Sequence, residues 1–268
     1  MTRFRFRTLR LLGSVCALTW ILAAVSIANE PQASSSARTW VGQEQRIEDH
    51  LRKADVTAVE DIGIGVTRPR RASLSPAEPV ASLAWKVLPP GRRGGYFESY
   101  KSEIAAYELD KLLGLHMVPP AVERQIDGET GAAIMWLDGL RSVKELGGKV
   151  PSGPAWGAAI RKMTMFDNLV ANPDRNAGNI LIGQPGELIL IDHSRAFITD
   201  TKVNTFERVD SALWDRLKGL TRDDLSRVLD PWLESDAIDA IIARRNRMAD
   251  MVDRLVAKKG RAHVIIPQ

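Results

Sequence analysis

One cysteine, Cys16, is all the thiol this 268-residue chain carries, and it falls inside an apolar leader. The remainder therefore has no disulfide to staple it and no cysteine nucleophile, and its core must stabilise it unaided. Histidines number four, His50, His116, His193 and His263, scattered without H-E-x-x-H spacing, which argues against a zinc hydrolase of that type. No G-x-S-x-G elbow occurs either, so a serine hydrolase of the nucleophile-elbow kind is disfavoured. No repeat of 20 to 50 residues is visible. Charge of one sign is also missing. The net charge of +4 owes its excess to Arg3, Arg5, Arg7 and Arg10; without them 33 bases face 33 acids. A neutral body gives no electrostatic footprint for nucleic acid.

What is present begins with one long apolar run, Leu11 to Ala28, unbroken by charge and preceded by those arginines. A basic start, an apolar stretch and small residues at Ser26 and Ala28 read as a signal peptide over residues 1–28. The run also approaches the length of a membrane span, so an uncleaved anchor through residues 11–28 stands beside that reading. A buried core helix is the plainer third alternative. Under the first two the body is exported, periplasmic or secreted.

Residues 29–42 read as a Ser/Ala-rich linker, and Gln43 to Val59 as a helix. Two β-like runs then flank a Gly/Pro/Arg segment, the second, Val80 to Leu88, carrying Lys86. Helical spacing of Ile104, Ala105, Leu109, Leu112 and Leu113 predicts a helix from about Phe97 to Leu113, stopped by Gly114. Asp127-Gly128 between short apolar runs predicts a hairpin. From Ala155 helices dominate: Ala158 to Val170, then helices from Asp210 to Lys259, with a capping-box pattern at Thr221 to Asp224. A hairpin turning at Gln184-Pro-Gly186 interrupts them. The resulting class is α+β, a small β-rich lobe over residues 43–137 before a mainly helical lobe over 138–268.

The chemistry concentrates in NPDRNAGNILIGQPGELILIDHSRAF, Asn172 to Phe197. Asp174, Asn179 five positions later, an apolar strand and then Asp192 supply a carboxylate, an amide and a second carboxylate. Phosphoryl transfer needs such a set: one acid to position and deprotonate a hydroxyl, and oxygen ligands to hold Mg²⁺ against nucleotide phosphates. A calcium loop fails, because Ala177 occupies the glycine position and Gly183 the position of the bidentate glutamate. Asn and Asp also serve plain turns through bonds to their own backbone.

D-R-N-x-G-N-I-L followed by L-I-L-I-D-H resembles the catalytic and metal-binding loops of atypical kinases: the phosphatidylinositol kinases, the HipA-like bacterial kinases and the four-jointed type of the secretory pathway. The resemblance implies a two-lobed protein-kinase-like fold. Within it Asp174 is the catalytic aspartate, Asn179 and Asp192 are metal ligands, and Asp167 and Asn172 tie loop to helix. The pattern departs from the family in having Pro173 before Asp174, His193-Ser194 after Asp192, and no Ala-Pro-Glu segment. It further implies ATP with Mg²⁺ or Mn²⁺, a strand lysine (Lys86) and a helix glutamate, Glu103 first and Glu98 second. Gly63 and Gly65 stand where backbone amides meet phosphate. Met135 and Leu137 stand at the inter-lobe hinge, as candidates for the purine wall. The implied function is transfer of phosphate from ATP to an unidentified hydroxyl acceptor on protein, lipid or sugar. The alternative is an inactive pseudokinase scaffold, which the scarcity of ATP outside the cytoplasm favours.

Overall fold

In the computed structural model of the chain, residues 1, 36–63, 69–183 and 186–267 are described. The leader beyond Met1, Gly65 and the tip of the Gln184-Pro-Gly186 turn lie outside them. Among the described residues no helix is long and apolar enough to cross a membrane.

The first half runs α1 (Glu44–Lys53), β1 (Asp55–Asp61), β2 (Arg70–Ser75), β3 (Ser82–Lys86), β4 (Gly91–Arg93), β5 (Tyr96–Glu98), α2 (Tyr100–Leu113), β6 (Ala121–Ile126) and β7 (Glu129–Met135). The helix expected to reach Val59 therefore stops at Lys53. Beyond it Asp55–Asp61 contains Val56, Thr57 and Val59, whose branched side chains fit a pleated surface better than a helical one. Strand β2 lies within the stretch expected as a Gly/Pro/Arg connection; Ala72 and Leu74 alternate with polar residues and are buried. β1, β2, β3, β7 and β6 form one five-stranded antiparallel sheet in that order. The β6–β7 turn places Asp127 and Gly128 at φ 51° and 83°, the conformation for which that residue pair is suited.

The second half runs β8 (Arg141–Ser142), α3 (Pro154–Val170), β9 (Ile180–Gly183), β10 (Glu187–Leu190), β11 (Val209–Asp210), α4 (Ser211–Gly219), α5 (Arg222–Leu229), α6 (Ser235–Lys259), α7 (Arg261–Val264) and β12 (Ile265–Ile266). β9 and β10 form the antiparallel hairpin, with β8 on its outer edge. Thr221 and Asp224 close the capping box at the start of α5.

Strand alternation assigns the two faces of the main sheet. Leu83, Trp85 and Ala133 pack with Ile47 and Leu51 of α1, so Lys86 and its register partner Ala132 point the other way. Ala132 there joins Ile104 and Leu109 of α2 in the larger core. This places Lys86 on the face covered by α2.

Gly131, just before Ala132, lets the strands close. A methyl group there would fall inside contact distance of the Lys86 carbonyl oxygen. Gly131→Ala is expected to lower stability by about 1–3 kcal/mol through overpacking, read as a reduced urea midpoint with an unchanged slope.

Candidate active site

The loop that carries the chemistry is shaped by the end of α3. Ala171 takes the left-handed conformation at φ 48°, and the Asn172 amide donates back to the Asp167 carbonyl at 3.1 Å. Asn172 Oδ1 then accepts from the Asp174 amide at 3.0 Å, an Asx-type turn that sets the direction of Asp174. The Asp174 carbonyl accepts from Asn179 Nδ2 at 3.0 Å, closing the loop onto the foot of β9.

The hairpin brings the foot of β9 beside the end of β10. Leu190 pairs with Ile180, and one step further the Ile191 amide donates to the Asn179 carbonyl at 3.2 Å. Asp192 follows at φ 60°, a conformation uncommon for a residue with a Cβ and one that Asp tolerates better than most. Its Oδ1 accepts from Lys86 Nζ at 2.8 Å and from Ser194 Oγ at 3.1 Å.

Lys86 also donates to Glu103 Oε1 at 2.6 Å. Glu103, on α2, accepts the His193 amide on its other oxygen at 2.9 Å. One ammonium thus joins β3, α2 and the loop after β10. Burial works against the Lys86 charge, but Glu103 and Asp192 outweigh it and hold its pKa above the ordinary lysine value. The same Lys86 charge draws the Asp192 carboxyl down to about 2. Glu103 moves the other way: burial pushes it up, with Lys86 opposing and Asp192 adding to the rise. We take the lysine as cationic and Asp192 as ionised, because Asp192 is the more exposed of the two acids.

Two arginines complete the site, and neither was singled out from the sequence. Arg175 grips both oxygens of Asp167 and donates to the carbonyls of Asn179 and Ile191, each at 2.8 Å. Its Nη2 lies 2.7 Å from His193 Nε2. A guanidinium only donates, so Nε2 accepts and the ring proton sits on Nδ1. Burial, with the Arg175 charge, keeps His193 neutral, its pKa well below 6.5. Arg195 donates to Glu98 Oε1 at 2.8 Å and to Asp174 Oδ2 at 3.2 Å. Glu98, the second choice as partner for Lys86, is thus the partner of Arg195.

Of the residues singled out from the sequence, Lys86, Glu103 and Asp192 meet directly, while Asp174 and Asn179 share the loop before β9, which the Ile191 amide and Arg195 link to the segment around Asp192. Gly63 has φ 67° and ends the described part of its turn. Met135 and Leu137 do not reach the cluster: both side chains pack with Leu83 and Trp85 on the α1 face. On the opposite face β7 presents Ala132, in the larger core, and Ile134, packed against it.

The donor types here, a carboxylate and an amide oxygen, are those a hard divalent cation takes. Asp192 Oδ2 and Asn179 Oδ1 accept no hydrogen bond among the described residues, and hard oxygen ligands suit Mg²⁺ or Mn²⁺. Among the described residues no three His, Cys, Asp or Glu side chains form a metal cage. An ion held here completes its shell with water or phosphate, the usual habit of Mg²⁺.

No protein-family model matches the chain, and no curated protein matches it. Solved structures do. A hydra Fam20 structure with sugar superposes with a TM-score of 0.67 at 19% identity, covering 84% of this chain and 92% of that one. The Golgi casein kinase gives 0.63 at 14%, covering 83% and 78%, and the match is the same for its structure with Mn/ADP bound. At these identities the likeness establishes the fold alone: a two-lobed, kinase-like α+β architecture.

Proposed function

We propose that this chain is an exported atypical kinase that transfers the γ-phosphate of ATP to a hydroxyl group on a protein, lipid or sugar. Residues 1–28 act as signal peptide or anchor, residues 29–42 as linker, 43–137 as the nucleotide-covering lobe and 138–268 as the catalytic lobe. The observation that carries the reading is Lys86 Nζ, within hydrogen-bond distance of both Glu103 and Asp192. A buried lysine shared by a helix acid and a loop acid is a means of fixing phosphates beside a metal-binding carboxylate. The Mn/ADP bound to the Golgi casein kinase, on the same fold, supports assigning nucleotide and Mn²⁺ or Mg²⁺ here.

Each side chain then has a part. Asn179 and Asp192 hold the cation, which when bound neutralises charge on the phosphates. Lys86, steadied by Glu103, binds phosphate oxygens, and the amides near Gly63 and Gly65 cover them. Asp174 accepts the proton of the acceptor hydroxyl and orients it in line. Met135 and Leu137 support the purine-binding segment from behind, while the main chain after β7 faces the base.

Thermal unfolding with Mn²⁺–ATP, together with Mn²⁺–ATP turnover, tests this. Nucleotide at 100 times its Kd is expected to add about 2.7 kcal/mol of stability, and labelled phosphate is expected on an acceptor or in water. Stabilisation without turnover would make the chain a nucleotide-binding pseudokinase. Neither effect would leave only a scaffold.

A further inference from the structure

The catalytic carboxylate is held by a contact that the phosphate-transfer reading does not require. We infer that Arg195 is the positioning residue for Asp174, a second cross-tie that fixes the catalytic loop to the start of α2 as Lys86 fixes Asp192 to Glu103. The inference rests on the kinase reading for the role of Asp174; the tie itself is a matter of geometry.

Arg195 reaches two carboxylates from two distant segments. Nε donates to Glu98 at 2.8 Å, in the last residue of β5, and Nη1 donates to Asp174 at 3.2 Å. A planar guanidinium presents its donors in a fixed fork, so holding one acid fixes where the other must lie. The fork is itself held in place. The ring of Tyr96 lies 4.4 Å from the guanidinium carbon, a cation–π contact that restrains its plane. On either side of Arg195 in the chain, the Ser194 carbonyl accepts from the Ser99 amide at 2.9 Å and the Ala196 carbonyl from Ser102 Oγ at 3.4 Å. Glu98 is only 4% exposed, and Arg195 is its only charged partner among the described residues. A surface ion pair would leave both partners free to wander; here the Glu98 end is buried and only the Asp174 end is open to solvent.

The consequence is a symmetry of control. Glu98 and Glu103 stand on either side of the start of α2. Each holds a cation, and each cation holds one of the two carboxylates of the site. Both carboxylates of the site are thus tied to one short stretch, from the end of β5 into the first turn of α2.

The test compares Arg195→Met, Arg195→Lys, Glu98→Gln and the double variant Glu98→Gln/Arg195→Met, with Mn²⁺–ATP turnover as probe and thermal unfolding alongside. Arg195→Met is expected to lower kcat roughly 10- to 100-fold, the scale of an ångström's misplacement. The nucleotide KM should stay within about twofold, since Asp174 does not touch the nucleotide. Arg195→Lys, which keeps the charge and loses the fork, should fall between. Adding Glu98→Gln removes the stranded acid and should recover Tm without recovering kcat. Recovery of both, or a kcat for Arg195→Met within twofold of wild type, overturns the inference.

Inactive wild-type protein sinks the kinase reading alone, because hydrogen exchange then reads the tie. Deuterium uptake should rise in both residues 91–98 and 172–179 of Arg195→Met if the tie exists. A rise in 91–98 only overturns it.

Discussion

Asp192→Asn is expected to lower the kcat for Mn²⁺–ATP turnover by about a thousandfold, while the fold survives. The substitution keeps shape and tolerates φ 60°, since Asn, like Asp, visits the left-handed region. It removes the charge that binds the cation. Metal-borne stabilisation of phosphate charge amounts to several kcal/mol, and about 4 kcal/mol corresponds to roughly three decades of rate. The stability effect has a definite sign. The Asp192 carboxyl sits at about 2 in the fold against an ordinary 3.8, with Lys86 as the first cause. A lowered carboxyl adds stability that is complete above the unfolded value and fades as pH falls from 3.8 toward about 2. The variant should lack that part of the acid slope and match the wild-type slope from pH 5 to 8. A variant keeping more than a tenth of wild-type kcat would remove Asp192 from the metal site.

How much of this was legible in the sequence follows from the range over which each signal acts. The hairpin at Asp127-Gly128, the Gly114 stop and the capping box at Thr221 are local devices and could be read directly. The pairing of Lys86 with Glu103 was approachable through the resemblance to atypical kinases, which implies a strand lysine and a helix glutamate, and a lysine in so apolar a run needs a partner. The limits have physical causes. β7 is buried on both faces, Ala132 and Ala133 alike having no exposure, so alternation of polarity could not show that Met135 faces α1 while Ile134 faces the other way. β2 and the β4–β5 hairpin are short and charged, which masks strand periodicity. The partners of Arg195 lie 21 and 97 residues away, and nothing local selects them from the other acids.

Arg175→Met should be the most destabilising single change in the site. Arg175 and Asp167 have side chains only 8% and 14% exposed, and the guanidinium serves acceptors on α3, on both ends of the hairpin and on His193. Its removal strands a buried carboxylate and leaves the Asn179 and Ile191 carbonyls each a donor short. Breaking such a pair from one side costs about 3–5 kcal/mol, a large part of the 5–15 kcal/mol typical of a domain. At about 2–4 °C per kcal/mol for a domain of this size, Tm should drop by roughly 6–20 °C. Arg175→Lys should rescue little, because one ammonium cannot span those acceptors. The pH dependence identifies the cause. Burial already lifts the Asp167 carboxyl, and Arg175 is the main influence pulling it back down; without Arg175 it rises further. A raised carboxyl favours the fold below its unfolded value and loses that advantage as pH climbs through its folded value. The Tm gap between Arg175→Met and wild type should therefore be narrower at pH 4 than at pH 7. Calorimetry at both values decides it: equal gaps would mean that the lost carbonyl bonds, not the stranded Asp167, account for the damage.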